Sequence, residues 1–278
     1  MIVTLPNSKR KNINLSVNKG SQNRSRITII TVVYNGAPFL EEAIQSIIAQ
    51  NYSNLEYIVI DGGSDDGSVN IIKKYREHID YWVSEPDGGI YDAMNKGIAQ
   101  SNGEIIGILN SDDILIEGAL EKIFQAFLQK PEVDYVYGSV QRIKKTGDEY
   151  ARIEPIKKEE FVAKKYQQIP FPHPSLYVKK QVFDQIGVYN TSYTLNADYD
   201  FILRLLDADL KGIELEFPVA KYRDGGRSAG IKTFTERRIL WKSHGVPLIT
   251  REWNAFRSVS KVLLHSLLPD SFLKLIKK

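Results

Sequence analysis

The chain has 278 residues, of which 42% are hydrophobic and 26% are charged, a composition typical of a soluble globular protein. It contains no cysteine, which excludes disulfides, thiolate metal sites and a cysteine nucleophile. Its net charge is +3, no apolar run is long enough to span a membrane, and the first residues lack the apolar core of a signal peptide.

Charge is unevenly distributed along the chain. Residues 1–26 carry six basic and no acidic side chains, and we predict that they form a disordered leader. Residues 251–278 carry six basic and two acidic side chains, which leaves a net charge of −7 on the part between. An acidic body argues against nucleic acid as the main ligand. The basic ends favour an anionic membrane surface.

From residue 27 the pattern alternates between strands and helices. The β-branched run at 27–33 predicts a buried parallel strand, and a helix begins near Pro38. Further strands are predicted at 55–60, 81–83, 104–109 and 133–140, and further helices near 69–75, at 90–100 and at 117–129. This order predicts an α/β fold with a mostly parallel sheet and helices on both faces.

The second half is less regular. A turn at 144–148 with a return strand at 149–153 is expected, then helices at 156–168, 179–186 and 197–210. Gly187 ends the second of these helices, and Asn196 caps the third. The segment from Phe256 is basic and amphipathic. It could lie on a membrane surface or pack on the protein, and the pattern favours neither.

Acidic side chains follow successive predicted strands: Asp61, then Glu85 and Asp87, then Asp112 and Asp113. The carboxyl ends of parallel strands converge on one crevice in a doubly wound sheet. Adjacent carboxylates beside a buried strand are unfavourable unless a cation or hydrogen-bond donors offset their repulsion. Such oxygen ligands suit Mg²⁺ or Mn²⁺ carrying a phosphorylated ligand. The alternative is that Asp112 and Asp113 only cap the next helix.

Two familiar nucleotide-binding motifs are absent. The first strand is followed by Tyr34-Asn35-Gly36 rather than by a G-x-G-x-x-G turn, and there is no P-loop lysine motif. The loop after Asp61 does not match a calcium loop, because Gly63 occupies a ligand position and no glutamate stands at the twelfth.

Five motifs together resemble a family-2 glycosyltransferase with the nucleotide-sugar-binding GT-A fold. They are residues 31–35, 61–68, 85–97, 110–113 and 196–200. The resemblance spans about residues 27–230 and is closest to bacterial enzymes that build surface polysaccharide such as O-antigen or capsule. It implies a transferase domain at 27–235, with a nucleotide-sugar half at 27–140 and an acceptor half at 141–235. A helical segment at 236–278 would follow.

The resemblance implies roles for residues on the donor side. Thr31, Tyr34 and Asn35 would border the nucleotide, and Asp61 would accept a hydrogen bond from the uracil N–H. Asp87 and Lys96 would lie near the ribose, phosphate or sugar. From the residues alone, Asp61 could instead bond its own loop, and Lys96 could be a solvated helix lysine.

The metal motif and the base are implied in the same way. Asp113 would bind Mg²⁺ or Mn²⁺, and Asp112 would face the ribose or the metal. Asn110 stands where relatives often have an aspartate. Asp198 would be the catalytic base, with Ala197 in place of a common glutamate; the alternative is a first-turn helix acid.

Two further residues are candidates. Arg227, in the glycine-rich stretch 225–228, would reach a phosphate from a loop that closes over the site. His173 could line the acceptor side or be structural.

The implied reaction is an inverting transfer of a sugar from a nucleotide-diphosphate donor, a UDP-sugar, to a glycan or lipid-linked acceptor. A divalent ion would stabilise the leaving diphosphate, and Asp198 would take the acceptor proton. The expected location is the cytoplasm, with the inner face of the membrane as a contact.

Two alternative functions remain. A sugar nucleotidyltransferase would need a basic, glycine-rich loop after the first strand, and a non-catalytic binding module is disfavoured by the intact Asp198, Asp112 and Asp113.

Overall fold

A sheet of nine strands organises the described chain. The computed structural model describes residues 24–208, 210–225 and 231–267. The strands are β1 (Ile27–Val33), β2 (Leu55–Asp61), β3 (Tyr81–Ser84), β4 (Ile105–Ile108), β5 (Ile114–Leu115), β6 (Tyr135–Ile143), β7 (Glu149–Ile153), β8 (Tyr177–Lys179) and β9 (Gly212–Arg223). Their order in the sheet is β3-β2-β1-β4-β8-β6-β9-β5, and β7 also pairs with β6.

Helices pack on both faces of this sheet. They are α1 (Ala37–Ile48), α2 (Ser68–Lys74), α3 (Ile90–Gln100), α4 (Ala119–Gln129), α5 (Phe161–Lys164), α6 (Lys180–Ile186), α7 (Ala197–Asp207), α8 (Ile231–Ser243) and α9 (Leu248–Leu267). Helices α1, α2 and α4 share one apolar cluster with Ile29 and Val33 of β1. Helices α3, α6, α7 and α8 share the other with Ile30 and Val32. The side chains of β1 therefore alternate between two cores.

The first half of the sheet is parallel. Strands β3, β2, β1 and β4 all run in the same direction, so their carboxyl ends lie at one edge. Strand β8 is antiparallel to both β4 and β6, and β6 and β9 are parallel to each other. The predicted α/β fold with helices on both faces is confirmed. The mixed part of the sheet, β6 to β9, is formed by the second half of the chain, where strands and helices no longer alternate regularly in the sequence.

Several predicted elements have the observed bounds. Strand β1, helix α3 and strand β7 begin and end as predicted. Strand β9 was not predicted, because Pro218 interrupts its pattern and pairs with Ser139 where the register with β6 shifts. The helix predicted at 156–168 was wrong in extent, since the structure has only a 3-10 turn at Lys158–Glu160 and the four residues of α5.

The predicted terminal segments lie partly outside the described residues. Of the leader at 1–26, the structure describes only the last three residues, and Arg24 forms an ion pair with Glu121 at 2.5 Å. Helix α9 covers the segment from Phe256 as far as Leu267. Within the described ranges, no helix has the length and apolar character needed to cross a membrane.

Glu56 holds together the amino ends of the parallel strands. It is 3% exposed, and its carboxylate accepts hydrogen bonds from Thr28 Oγ1 at 2.5 Å, Asn102 N at 2.6 Å and Gly103 N at 3.2 Å. Arg26 lies 3.0 Å away as an ion-pair partner. Burial raises the pKa of Glu56, but these donors outweigh burial and hold the pKa below its ordinary value. The ionised carboxylate therefore stabilises the fold.

Replacing this carboxylate should destabilise the protein in a pH-dependent way. We expect Glu56→Gln to lower the free energy of unfolding at pH 7 by about 2 kcal/mol, because charge-assisted hydrogen bonds are lost. A folded-state pKa that is lowered gives stability above the unfolded pKa of roughly 4.3, and this stability is lost as the pH falls through the folded pKa. The difference from wild type should therefore shrink in acid, as measured by urea unfolding.

The matched control is Glu104→Gln. Glu104 is exposed, and its carboxylate accepts a hydrogen bond from Ser25 Oγ at 3.0 Å. If Glu56→Gln and Glu104→Gln had equal unfolding free energies at pH 7, the role given to Glu56 would be wrong.

Candidate active site

The loops that follow β1 to β4 meet at the carboxyl edge of the sheet, as predicted. A Cβ atom placed on Gly36 would lie 2.9 Å from Ser111 Oγ, which shows how closely the loops after β1 and β4 approach. A Cβ placed on Gly62 would lie 2.6 Å from Asp87 Oδ2, which shows that the loops after β2 and β3 are in contact. Gly62 N also donates to Val33 O at 2.9 Å, so the four strand ends form one continuous surface.

Asp112 and Asp113 lie below this surface, next to each other. Asp113 is 1% exposed, and its Oδ1 accepts a hydrogen bond from the backbone N of Arg223 at 3.0 Å. Burial raises the pKa of Asp113 well above its ordinary range, and the neighbouring Asp112 raises it further, while Arg223 acts in the opposite direction. Burial likewise raises the pKa of Asp112. Burial is therefore the main reason that both carboxylates resist ionisation.

The pair does not cap the following helix. The N-cap residue of α4 is Gly118, which has a φ of +73° and receives no side-chain hydrogen bond. The carboxylates of Asp112 and Asp113 therefore have no capping role, and the alternative considered from sequence is wrong.

A buried amide oxygen completes a set of hard donors suited to a cation. Asn110 Nδ2 lies 3.4 Å from Asp113 Oδ2, and Asn110 Oδ1 is buried with no hydrogen-bond partner. Two carboxylates and one amide oxygen are ligands that fit Mg²⁺ or Mn²⁺. No cluster of three or more His, Cys, Asp or Glu side chains among the described residues could hold a metal alone. An ion here would therefore take further ligands from water or phosphate.

Asp61 organises the loop after β2. It is fully buried; its Oδ2 accepts hydrogen bonds from Gly63 N at 3.1 Å, Ser64 N at 3.0 Å and Ser84 Oγ at 2.6 Å. Its Oδ1 accepts a hydrogen bond from Ser64 Oγ at 2.5 Å. The carboxylate thus fastens this loop to the end of β3.

The three candidates after β1 occupy different depths. Thr31 is fully buried, and its hydroxyl accepts a hydrogen bond from Tyr57 OH at 3.2 Å. Tyr34 is 55% exposed at the edge. Asn35 adopts the left-handed φ of +52°, and its Oδ1 accepts a hydrogen bond from Asp65 N at 3.1 Å. Tyr34 and Asn35 therefore line the surface, while Thr31 supports it from below.

Lys96 and Asp87 brace the loop after β3. Lys96 Nζ lies 3.0 Å from Glu85 Oε1 and 3.5 Å from Asp92 Oδ2. Partial burial lowers the pKa of Lys96, but these two carboxylates outweigh it and raise the pKa. Asp87 Oδ1 accepts a hydrogen bond from Gly89 N at 2.8 Å. Lys96 is therefore charged and paired, and it is not a freely solvated helix lysine.

Asp198 lies at the start of α7 and is connected to the same edge through α3. Its Oδ1 accepts hydrogen bonds from Tyr91 OH at 3.0 Å and from Tyr199 N at 2.9 Å. Tyr91 is the second residue of α3, directly after the loop that Lys96 braces. The half-buried Asp198 carboxylate is therefore oriented by a side chain of α3.

His173 lies in the layer beneath Asp198. It is 8% exposed, and its Nε2 lies 2.8 Å from Tyr189 OH, whose ring stacks on that of Tyr91 at 5.9 Å. Burial lowers the pKa of His173, and Asp198 opposes this only in part. The imidazole is therefore neutral near pH 7 and packs behind Asp198.

Helix α8 holds the loop that precedes Asp198. Glu236 accepts hydrogen bonds from Thr194 N at 2.6 Å, Leu195 N at 2.8 Å and Asn196 Nδ2 at 2.8 Å. Arg237 Nε donates a hydrogen bond to Asn196 Oδ1 at 3.0 Å. Asn196 is the N-cap residue of α7, as predicted, but its side chain makes no capping hydrogen bond and bonds to α8 instead.

The contacts of Glu236 and Arg237 with residues 194–196 were not predicted from the sequence, because the charged run at 236–238 has the pattern of a solvated helix face. The domain boundary predicted at 235/236 lies inside α8. Arg227 lies outside the described residues.

Comparison with protein families adds independent findings. The family model described as Glycosyl transferase family 2 matches residues 28–187, which is more than half of the chain. An uncharacterized glycosyltransferase of Mycobacterium tuberculosis is 33% identical over 180 residues, covering 64% of this chain and 68% of the relative. The glycosyltransferase GlyG of Streptococcus pneumoniae is 34% identical over 116 residues, covering 41% of this chain and 38% of GlyG.

Solved structures share the fold. The chain resembles residues 1–349 of S. aureus TarS in complex with UDP-GlcNAc, with a TM-score of 0.61, 16% identity and coverage of 77% and 65%. It also resembles the mannosyltransferase PcManGT of Pyrobaculum calidifontis in complex with GDP-Man and Mn²⁺, with a TM-score of 0.60, 18% identity and coverage of 91% and 79%. The predicted GT-A fold is confirmed. The chain spans 39% of the longer TarS chain.

Proposed function

We propose that this chain, which belongs to glycosyltransferase family 2 and is a glycosyltransferase, transfers a sugar from a UDP-sugar to a glycan or lipid-linked acceptor with inversion. One observation carries the proposal. The buried Asp113 and its half-buried neighbour Asp112 lie on the same edge as the loop that leads into Tyr91, and Tyr91 orients the Asp198 carboxylate. Helix α3 thus connects the proposed site for the charged leaving group with the proposed general base.

A divalent cation fits the Asp112 and Asp113 pair. Asp113, Asp112 and the amide oxygen of Asn110, which is buried without a hydrogen-bond partner, would hold Mg²⁺ or Mn²⁺. When bound, such an ion would stabilise the negative charge of the departing diphosphate. PcManGT, which shares the fold, binds Mn²⁺ with its GDP-Man.

The nucleotide would lie along the loops after β1 to β3. Tyr34 and Asn35 offer the exposed surface for the base and ribose, and Asp87 and Lys96 border the sugar and phosphates. Arg227 would add a phosphate contact. Asp61 is an acceptor suited to the uracil N–H, but its carboxylate is fully buried, so this contact requires a shift of the loop at 62–64.

Asp198 would act as the base in a single displacement. The acceptor oxygen attacks the anomeric carbon, the bond from that carbon to the diphosphate oxygen breaks, and the acceptor proton moves to Asp198. The hydrogen bond from Tyr91 OH at 3.0 Å would hold the orientation of this carboxylate.

A donor screen tests the reaction class. The protein would be incubated with a panel of nucleotide sugars, Mn²⁺ and an acceptor extract, and the released products would be identified. Release of a nucleoside diphosphate together with a glycosylated acceptor is the expected result. Formation of pyrophosphate would indicate a sugar nucleotidyltransferase, and donor binding without turnover would indicate a binding module. Either outcome would refute the proposal.

Removal of Asp113 should abolish metal-dependent binding. We expect Asp113→Ala to bind UDP with the same affinity in Mn²⁺ and in chelator, measured by titration calorimetry, because the buried metal ligand is gone. Wild type should bind UDP more weakly in chelator than in Mn²⁺. The control Asp184→Ala removes an exposed carboxylate of α6 and should keep the wild-type response to Mn²⁺. A Mn²⁺ response retained by Asp113→Ala would refute the assignment.

Neutralising Asp198 should separate binding from catalysis. We expect Asp198→Asn to lower kcat by at least about 10²-fold while donor affinity stays within a few-fold, because only the proton acceptor is lost. The control Asp207→Asn changes an exposed acid at the other end of α7 and should leave kcat near the wild-type value. Near-normal turnover by Asp198→Asn would exclude Asp198 as the base.

We also propose contact with the inner face of the cell membrane through α9. Leu248, Ile249 and Trp253 are 60%, 84% and 60% exposed, and the exposed Arg257 lies on the same helix. Apolar anchors beside basic residues suit an anionic lipid surface.

Trp253→Ser should weaken flotation of the protein with vesicles that contain an anionic lipid. Leu128→Ser on α4, at the opposite face of the sheet, should not. Equal flotation of wild type and Trp253→Ser would contradict this contact.

A further inference from the structure

Arg223 is a buried cation that crosses from the acceptor half to the metal motif. It ends β9, is 3% exposed, and donates from Nε to the backbone oxygen of Asp112 at 3.0 Å. Its own backbone N donates to Asp113 Oδ1 at 3.0 Å, across a sequence separation of 110 residues. A single residue therefore contacts both members of the carboxylate pair, one through the peptide and the other through the side chain.

The rest of the guanidinium is equally well held. Its Nη1 donates to the backbone oxygens of Lys144 at 3.3 Å and Lys145 at 3.2 Å, in the turn between β6 and β7. Its Nη2 donates to Glu42 Oε2 at 2.5 Å, and the Cζ atom of Arg223 lies 4.4 Å from the centre of the Phe39 ring. Contacts on four sides fix the orientation of Arg223.

The guanidinium of Arg223 forms no ion pair with the carboxylates of Asp112 and Asp113. Its ion pair is with Glu42 of α1, and it contacts Asp112 through the peptide oxygen rather than through the carboxylate. The guanidinium nevertheless opposes the effect of burial on both carboxylates. It offsets part of their repulsion without occupying the oxygens that a cation needs.

We propose that Arg223 is a positioning residue for divalent-metal binding. It fixes the Asp112 peptide and aims the Asp113 carboxylate, so that both carboxylates present oxygens to one ion. The inference rests on the proposed metal-dependent transfer. Arginine is required because only a planar fork of five N–H donors reaches the turn, α1 and the metal motif at once.

Arg223→Lys tests this role, because it keeps the charge and removes the fork. We expect the Mn²⁺ concentration for half-maximal binding in the presence of UDP, read from the electron paramagnetic resonance signal of free Mn²⁺, to rise at least about 10-fold. The rate of nucleoside diphosphate release should recover towards wild type in excess Mn²⁺. A merely structural role would lower the thermal midpoint and leave the Mn²⁺ requirement of the folded protein unchanged.

Arg142→Lys is the matched control. Arg142 makes two hydrogen bonds to Asp224 Oδ1, at 3.0 and 2.6 Å, and its guanidinium lies over the Tyr150 ring of β7. Asp224 is the residue that follows Arg223. The Mn²⁺ requirement of Arg142→Lys should equal that of wild type. If Arg223→Lys does not fold, Glu42→Gln replaces it, since loss of this partner should raise the Mn²⁺ requirement by a smaller factor.

The outcomes separate the two claims. A wild type that requires Mn²⁺ and an Arg223→Lys variant with the same requirement would overturn the role of Arg223 alone. If Glu42→Gln is the test variant, a Mn²⁺ requirement equal to that of wild type would likewise overturn the role of Arg223. A wild type that binds UDP and turns over donors equally well in chelator would overturn the proposed metal-dependent function itself.

Discussion

The placement of two adjacent carboxylates, the half-buried Asp112 and the buried Asp113, is the constraint around which this edge of the sheet is built. Burial raises the pKa of both, and the neighbouring Asp112 raises that of Asp113 further, so such a pair is unfavourable without compensation. Arg223 supplies part of the compensation from β9, the strand that pairs with β5, and Asn110 supplies an amide contact. The carboxylate and amide oxygens gathered there are the hard donors that a divalent cation prefers.

The two ends of the parallel strands are used differently. At the amino ends, Glu56 has donors for its carboxylate and is closed off from solvent. At the carboxyl ends, Asp61 closes its own loop, while Asp112 and Asp113 keep oxygens without side-chain cations. Asp198 is connected to this edge by the hydrogen bond from Tyr91, so the orientation of the first turn of α7 depends on a side chain of α3.

Local patterns predicted what local forces determine. The uninterrupted β-branched run of β1 and the apolar spacing of α3 specify their bounds, and the acids after three strands indicate the active edge. Long-range pairing was not predictable. Strand β9 contains Pro218 and shifts register, and no sequence signal shows that Arg223 or Glu236 reaches residues tens of positions away. Asn196 had the identity of a cap residue, but tertiary contacts with α8 took its side chain.

A crystal structure with UDP and Mn²⁺ tests the central claim most directly. We expect the anomalous signal of Mn²⁺ at the carboxylates of Asp112 and Asp113, with UDP beside it and the nucleoside along the loops after β1 to β3. This expectation would be contradicted by UDP and Mn²⁺ bound at another part of the surface, with Asp112 and Asp113 contacting neither.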